Sequence, residues 1–64
     1  MDPKDMVVEI VYENKDGLFP LEIAAGIEKR YGTHMTTREV EKIIEKNKKL
    51  FVEENGKFKS PTHF

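Results

Sequence analysis

The chain has 64 residues, 36% of them charged, no cysteine and a formal net charge of −1. That length holds one small domain, which buries about 60% of its unfolded surface with no disulfide or thiolate metal site to help it. No apolar run approaches the ~20 residues of a membrane span and no signal-peptide pattern opens the chain, so an intracellular protein is expected.

The first element begins at Asp2-Pro3-Lys4-Asp5. Asp2 suits an N-cap, Pro3 is tolerated at the first helical position, and Asp5 sits near the positive end of the helix dipole. Met6, Val7, Ile10 and Val11 form an inward stripe, with Val8 and Tyr12 widening it, and the helix should run to about Asn14. Lys15-Asp16-Gly17 makes a turn. Gly17-Leu18-Phe19-Pro20 is short and apolar, and residues 18–19 can form a short strand that pairs with a later hairpin. Pro20 then opens a second helix, LEIAAGIEKRYG, whose apolar face is Ile23, Ala24, Ile27 and Tyr31, with Leu21 also expected in the core, and whose end is Gly32. Gly26, inside it, points to close approach of a neighbouring helix.

The third helix is the most clearly marked. Thr36 and Glu39 have capping-box spacing, and Met35 with Val40 makes a hydrophobic staple. Val40, Ile43, Ile44 and Asn47 form one buried stripe; the opposite ridge carries Arg38, Lys42, Glu45 and Lys49. The helix should end near Asn47 in a left-handed cap. Leu50 and Phe51 then lead into a hairpin. Asn55-Gly56 is the strongest short hairpin signal, because a type I′ turn needs positive φ at both central residues. A two-residue turn sets Glu54 opposite Lys57, Glu53 opposite Phe58 and Val52 opposite Lys59. Phe51 and Phe58 then share the core face, while Val52, Lys57 and Lys59 share the other. The domain is set at residues 1–60, with a tail over 61–64.

Charge is unevenly distributed. Residues 1–28 hold two basic and seven acidic groups, while residues 29–64 hold nine basic and five acidic ones. Such asymmetry suits an oriented interaction surface, or simply a solvated surface of mixed charge. Salt-bridge lacing, with Glu45 pairing Lys49, is the simplest account of the third helix.

Catalytic signatures are missing. Ser60 is the only serine, and His34 and His63 stand in a turn and in the tail beside no nucleophile. No Cys/His pair has zinc spacing, and Gly17, Gly26, Gly32 and Gly56 do not make a phosphate-binding pattern. No enzyme activity, cofactor, metal or small-molecule substrate is expected.

The order helix, short strand, helix, helix, hairpin, and the run GLFPLEIAAGIEKRYG followed by TTREVEKIIEKNKKLFVEENGKFK, resemble a winged-helix domain over nearly the whole chain. The segments GLFPLEI and KLFVEENGKFK resemble those of LOTUS (OST-HTH) and HARE-HTH modules. The resemblance implies an α+β fold, with a third helix that enters a groove of nucleic acid and a wing that touches its backbone. On this sequence those positions are Thr37, Arg38, Lys42, Lys46 and Lys49 on the helix, then Lys57 and Lys59 on the hairpin. Lys and Arg have the reach for phosphates, and Arg38 is the one good candidate for reading a base edge. Glu41 and Glu45 would repel phosphates, so weak DNA or RNA binding with little sequence preference is expected. The alternative is protein docking, through the acidic first helix (Asp5, Glu9, Glu13, Asp16) or through exposed Val8, Tyr12 and Phe19.

Overall fold

Asp2 caps the first helix as its sequence suggests: its carboxylate accepts the Lys4 N–H at 3.3 Å, and α1 runs Pro3–Tyr12. The computed structural model describes residues 1–61, so most of the expected tail, His63 included, lies outside the described residues. The remaining elements are α2 (Pro20–Tyr31), α3 (Thr37–Lys46), a 3-10 turn (Lys48–Leu50), β1 (Val52–Glu54) and β2 (Lys57–Lys59). Three helices followed by a two-strand antiparallel hairpin make a small α+β domain, a layout compatible with a winged helix.

α1 ends two residues earlier than its periodicity suggests. Asn14 turns its side chain back, and its Nδ2 donates to the Ile10 carbonyl at 2.6 Å. This takes a carbonyl the helix would otherwise leave open, the competition that makes Asn a poor helix interior residue. The chain then turns at Gly17. Its φ of +87° and a space in which an added methyl would stand 3.1 Å from Lys57 Cβ both require glycine.

That turn delivers Leu18 to the hairpin. Leu18 and Phe58 exchange both backbone hydrogen bonds, at 3.0 and 2.8 Å, so the expected short strand is a single bridge. The hairpin has the expected register, Val52 with Lys59, Glu53 with Phe58 and Glu54 with Lys57. Asn55 and Gly56 both have positive φ, as a type I′ turn demands.

The core is gathered from every helix. Val7, Val11, Ile23, Ile27 and Val40 are fully buried; Met6, Ile10, Ala24, Met35, Ile44 and Phe51 are nearly so. Leu18, Tyr31, Ile43, Leu50 and Phe58 pack half-buried against them. Each helix packs on the other two. A Cβ at Gly26 would lie 3.4 Å from Ile10 Cγ2, which locates the close α1–α2 approach. Met35 belongs to this core because the staple that joins it to Val40 folds it under α3.

Leu21 does not belong. It is 68% exposed, because it lies about a third of a turn off the Ile23–Ile27–Tyr31 stripe in the first turn of α2. Asn47 also departs from expectation. Its φ of −129° is not left-handed. Instead its Nδ2 donates to the Ile43 carbonyl at 2.8 Å, its own carbonyl accepts the Leu50 N–H at 2.9 Å, and the chain tightens into the 3-10 turn. Among the described residues no helix is long and apolar enough to cross a membrane.

Candidate nucleic-acid interface

The first turn of α3 is fixed by a reciprocal cap. Thr36 Oγ1 accepts the Glu39 N–H at 3.1 Å, and Glu39 Oε1 accepts the Thr36 N–H at 2.9 Å. The Thr36 N–H, and after it the Thr36 hydroxyl, hold the Glu39 carboxyl below the ordinary carboxylate value. From this start the helix presents two edges of opposite sign.

The outer edge is basic. Arg38, Lys42 and Lys46 follow one another at i, i+4 and i+8, so they stand in one row, and all three are exposed. Lys49 is exposed in the 3-10 turn that follows. Among the described residues none of these four takes part in an ion pair, and the expected Glu45–Lys49 bridge is not formed. The 3-10 turn explains this, since it takes Lys49 out of the α-helical spacing the pair needs. Thr37, in the first turn, is half-buried.

The inner edge, toward the hairpin, is acidic. An open groove of ≈ 710 Å³ runs between α3 and the hairpin. Its floor is Pro20, Ile44, Phe51 and Phe58. Its rim carries Glu41 and Glu45 from α3 and Glu53 from β1, against the single cation Lys48. The sequence held a signal for this: Glu41 and Glu45 are one turn apart, and the hairpin register puts Glu53 beside Phe58.

The two hairpin lysines do not join the basic edge of α3. Strand alternation puts Lys57 and Lys59 on the opposite face from Glu53 and Phe58. Their Cβ atoms lie instead over Gly17. Lys59 Nζ is 2.5 Å from Glu54 Oε1, and this bond, with the lysine charge, lowers the Glu54 pKa. Lys57, cross-strand from Glu54, stands over the Phe19 ring with Nζ 5.3 Å from its centroid. The Leu18–Phe58 bridge makes Phe19 its neighbour on that face, so an aromatic ring competes with Glu54 for the ammonium.

The surfaces named for protein docking are also partly used. Phe19 is 44% and Tyr12 40% exposed, while Val8 is half-buried against the core. Tyr12 donates its hydroxyl to the Leu50 carbonyl at 2.9 Å. Glu9 accepts the Tyr31 hydroxyl and Glu13, just past the end of α1, pairs with Arg30, so two of the four acidic residues Asp5, Glu9, Glu13 and Asp16 are tied to α2. His34 is exposed in the turn before α3. Among the described residues no cluster of three or more His, Cys, Asp or Glu side chains could hold a metal ion.

No family model matches this sequence, and no curated protein or solved structure is similar enough to it to count as a relative.

Proposed function

We propose that this chain is a non-catalytic, nucleic-acid-associated module of the winged-helix type that meets phosphates through the outer edge of α3. The observation that carries this reading is the exposed row Arg38, Lys42 and Lys46, continued by Lys49, with no ion pair among the described residues. Unpaired Lys and Arg on one helix edge neutralise backbone phosphates without first breaking an internal bridge. Three helices followed by a hairpin, with Leu18 bridged to Phe58, and the resemblance of the sequence to LOTUS and HARE-HTH modules support the winged-helix assignment. Lys57 and Lys59, occupied on another face, are not first contacts in this reading. Arg38, nearest the helix start, is the side chain suited to a base edge. With four cations and carboxylates on the neighbouring edge, binding is weak and governed by charge.

The test is a two-dimensional NMR titration of labelled protein with short duplex DNA and with single-stranded RNA, at low and at physiological salt. Shifts should centre on Arg38, Lys42, Lys46 and Lys49 and leave 57–59 in place. The logarithm of the binding constant should fall with the logarithm of salt with a slope of about −3.6 on duplex DNA and about −2.8 on single-stranded RNA, as about four phosphate contacts require. Undisturbed spectra at low salt with both ligands would end this reading.

A further inference from the structure

We propose that the groove between α3 and the hairpin is a docking site for a basic peptide segment of a partner protein, one that inserts a bulky apolar side chain between flanking lysines or arginines. The argument starts from the floor. Ile44 and Phe51 are 5% and 7% exposed and belong to the core, so the base of the groove is rigid rather than a loose surface patch. Pro20 and Phe58 complete it. A groove of ≈ 710 Å³ falls within the size range of ligand-holding clefts and has room for large side chains. Such a floor rewards an aliphatic or aromatic anchor by removing from water the anchor's own apolar surface and that of the half-buried Pro20 and Phe58, with Ile44 and Phe51 already in the core beneath.

The rim supplies the sign. Glu41, Glu45 and Glu53 stand around the floor, all exposed and, among the described residues, none in an ion pair. Glu41 and Glu45 are like charges at i, i+4, an arrangement that slightly destabilises the helix carrying it. Lys48 is the one cation of the groove lining. The field over the floor is therefore negative, which steers and orients a positive segment and disfavours phosphate. The same field separates this site from the nucleic-acid edge of α3, and the two proposals stand independently. A second copy of the chain fits less well. Its own row of exposed cations, Arg38, Lys42 and Lys46, has charge but no bulky apolar side chain in the row to fill the floor.

The experiment pans a phage-displayed library of random peptides of about a dozen residues against the whole immobilised chain and, in parallel, against E41K/E45K. Both residues are exposed, and the variant's fold is checked by its NMR spectrum. The expected result is enrichment of peptides in which an aromatic or leucine is flanked by Lys or Arg. The enriched peptide, synthesised and titrated, should shift Ile44, Phe51, Gly56 and Phe58 and bind E41K/E45K roughly tenfold more weakly or worse. Enrichment of acidic or neutral peptides that map to the groove would overturn the basic partner. Peptides that map elsewhere, or no enrichment over a bare support, would overturn docking at this groove. Self-association of the chain in sedimentation velocity that disappears in E41K/E45K would give the site to a second copy instead. None of these outcomes touches the DNA and RNA titration, in which E41K/E45K should bind more tightly if the outer edge of α3 meets phosphate.

Discussion

The outer and inner edges of α3 come from one stretch of ten residues and face opposite chemistries. Arg38, Lys42 and Lys46 make the outer row; Glu41 and Glu45 make the inner one, with Glu53 joining from β1. By sequence the C-terminal half is simply basic, and its glutamates look like repulsive defects in a phosphate-binding helix. Folded, Glu41 and Glu45 line an apolar groove, and the cations stand on the adjoining edge. Charge sorted by helix edge is more informative than charge sorted by sequence half, because a difference of one position rotates a side chain by about 100°.

The comparison breaks most severely at Ile44, which is both core and groove floor. Ile44→Ala should cost about 2–4 kcal/mol, a drop in melting temperature of roughly 15–30 °C for a domain of this size. The residual fold should lose groove binding before it loses contacts made by the outer row. Urea and thermal unfolding measure the first part. A loss below about 1 kcal/mol would show that Ile44 is not packed as described.

Thr36→Ala acts on the other edge. It removes the hydroxyl that accepts the Glu39 N–H and should cost about 1 kcal/mol. The damage is confined to the first turn, so amide exchange should quicken at residues 37–40 and not at 43–46. Arg38 sits in that turn and Glu45 does not; DNA contact should therefore weaken while peptide binding at the groove holds. Thr36→Ser keeps the acceptor and should restore most of the loss. Equal quickening along the whole helix would mean that α3 opens as a unit and that its edges cannot be separated this way.

Much of this architecture is legible in the residues. The Thr36–Glu39 cap, the Asn55-Gly56 register and the glycine at 17 are each set by local chemistry within a few positions, and local chemistry is what a sequence displays. The misses have another origin. Hydrophobicity alone places Leu21 in the core, but its position on the helix turns it away from the stripe of α2. Residue type suggests a left-handed cap at Asn47, yet its side chain donates to the Ile43 carbonyl instead. Lys57 does stand opposite Glu54, as the hairpin register predicts, but register alone does not show the ring beside its ammonium. That ring is Phe19, set beside Lys57 by the single bridge between Leu18 and Phe58, 40 residues apart in sequence. The groove was missed for the same reason: its two sides are helix and hairpin, and no periodicity within either one reveals the space between them.

The smallest expected effect distinguishes the two shifted carboxylates. Glu39 and Glu54 both have folded-state pKa values lowered from 4.5, the first mainly by the Thr36 N–H and the second mainly by Lys59. A group lowered on folding stabilises the fold fully above its unfolded pKa, and this contribution fades as pH falls through the lower folded value. Stability should therefore decline below about pH 4.5, and Glu39→Gln and Glu54→Gln should each flatten that decline. Both groups are on the surface, so each share is small. Salt separates them. The Glu54–Lys59 bond joins two exposed charges and should be screened in molar salt, whereas the Glu39 cap is a hydrogen bond to a backbone N–H held within one helical turn and should persist. In high salt, Glu54→Gln should titrate like the parent chain and Glu39→Gln should still differ from it. The reverse pattern would mean that the hairpin ion pair, rather than the helix cap, is the firmer of the two.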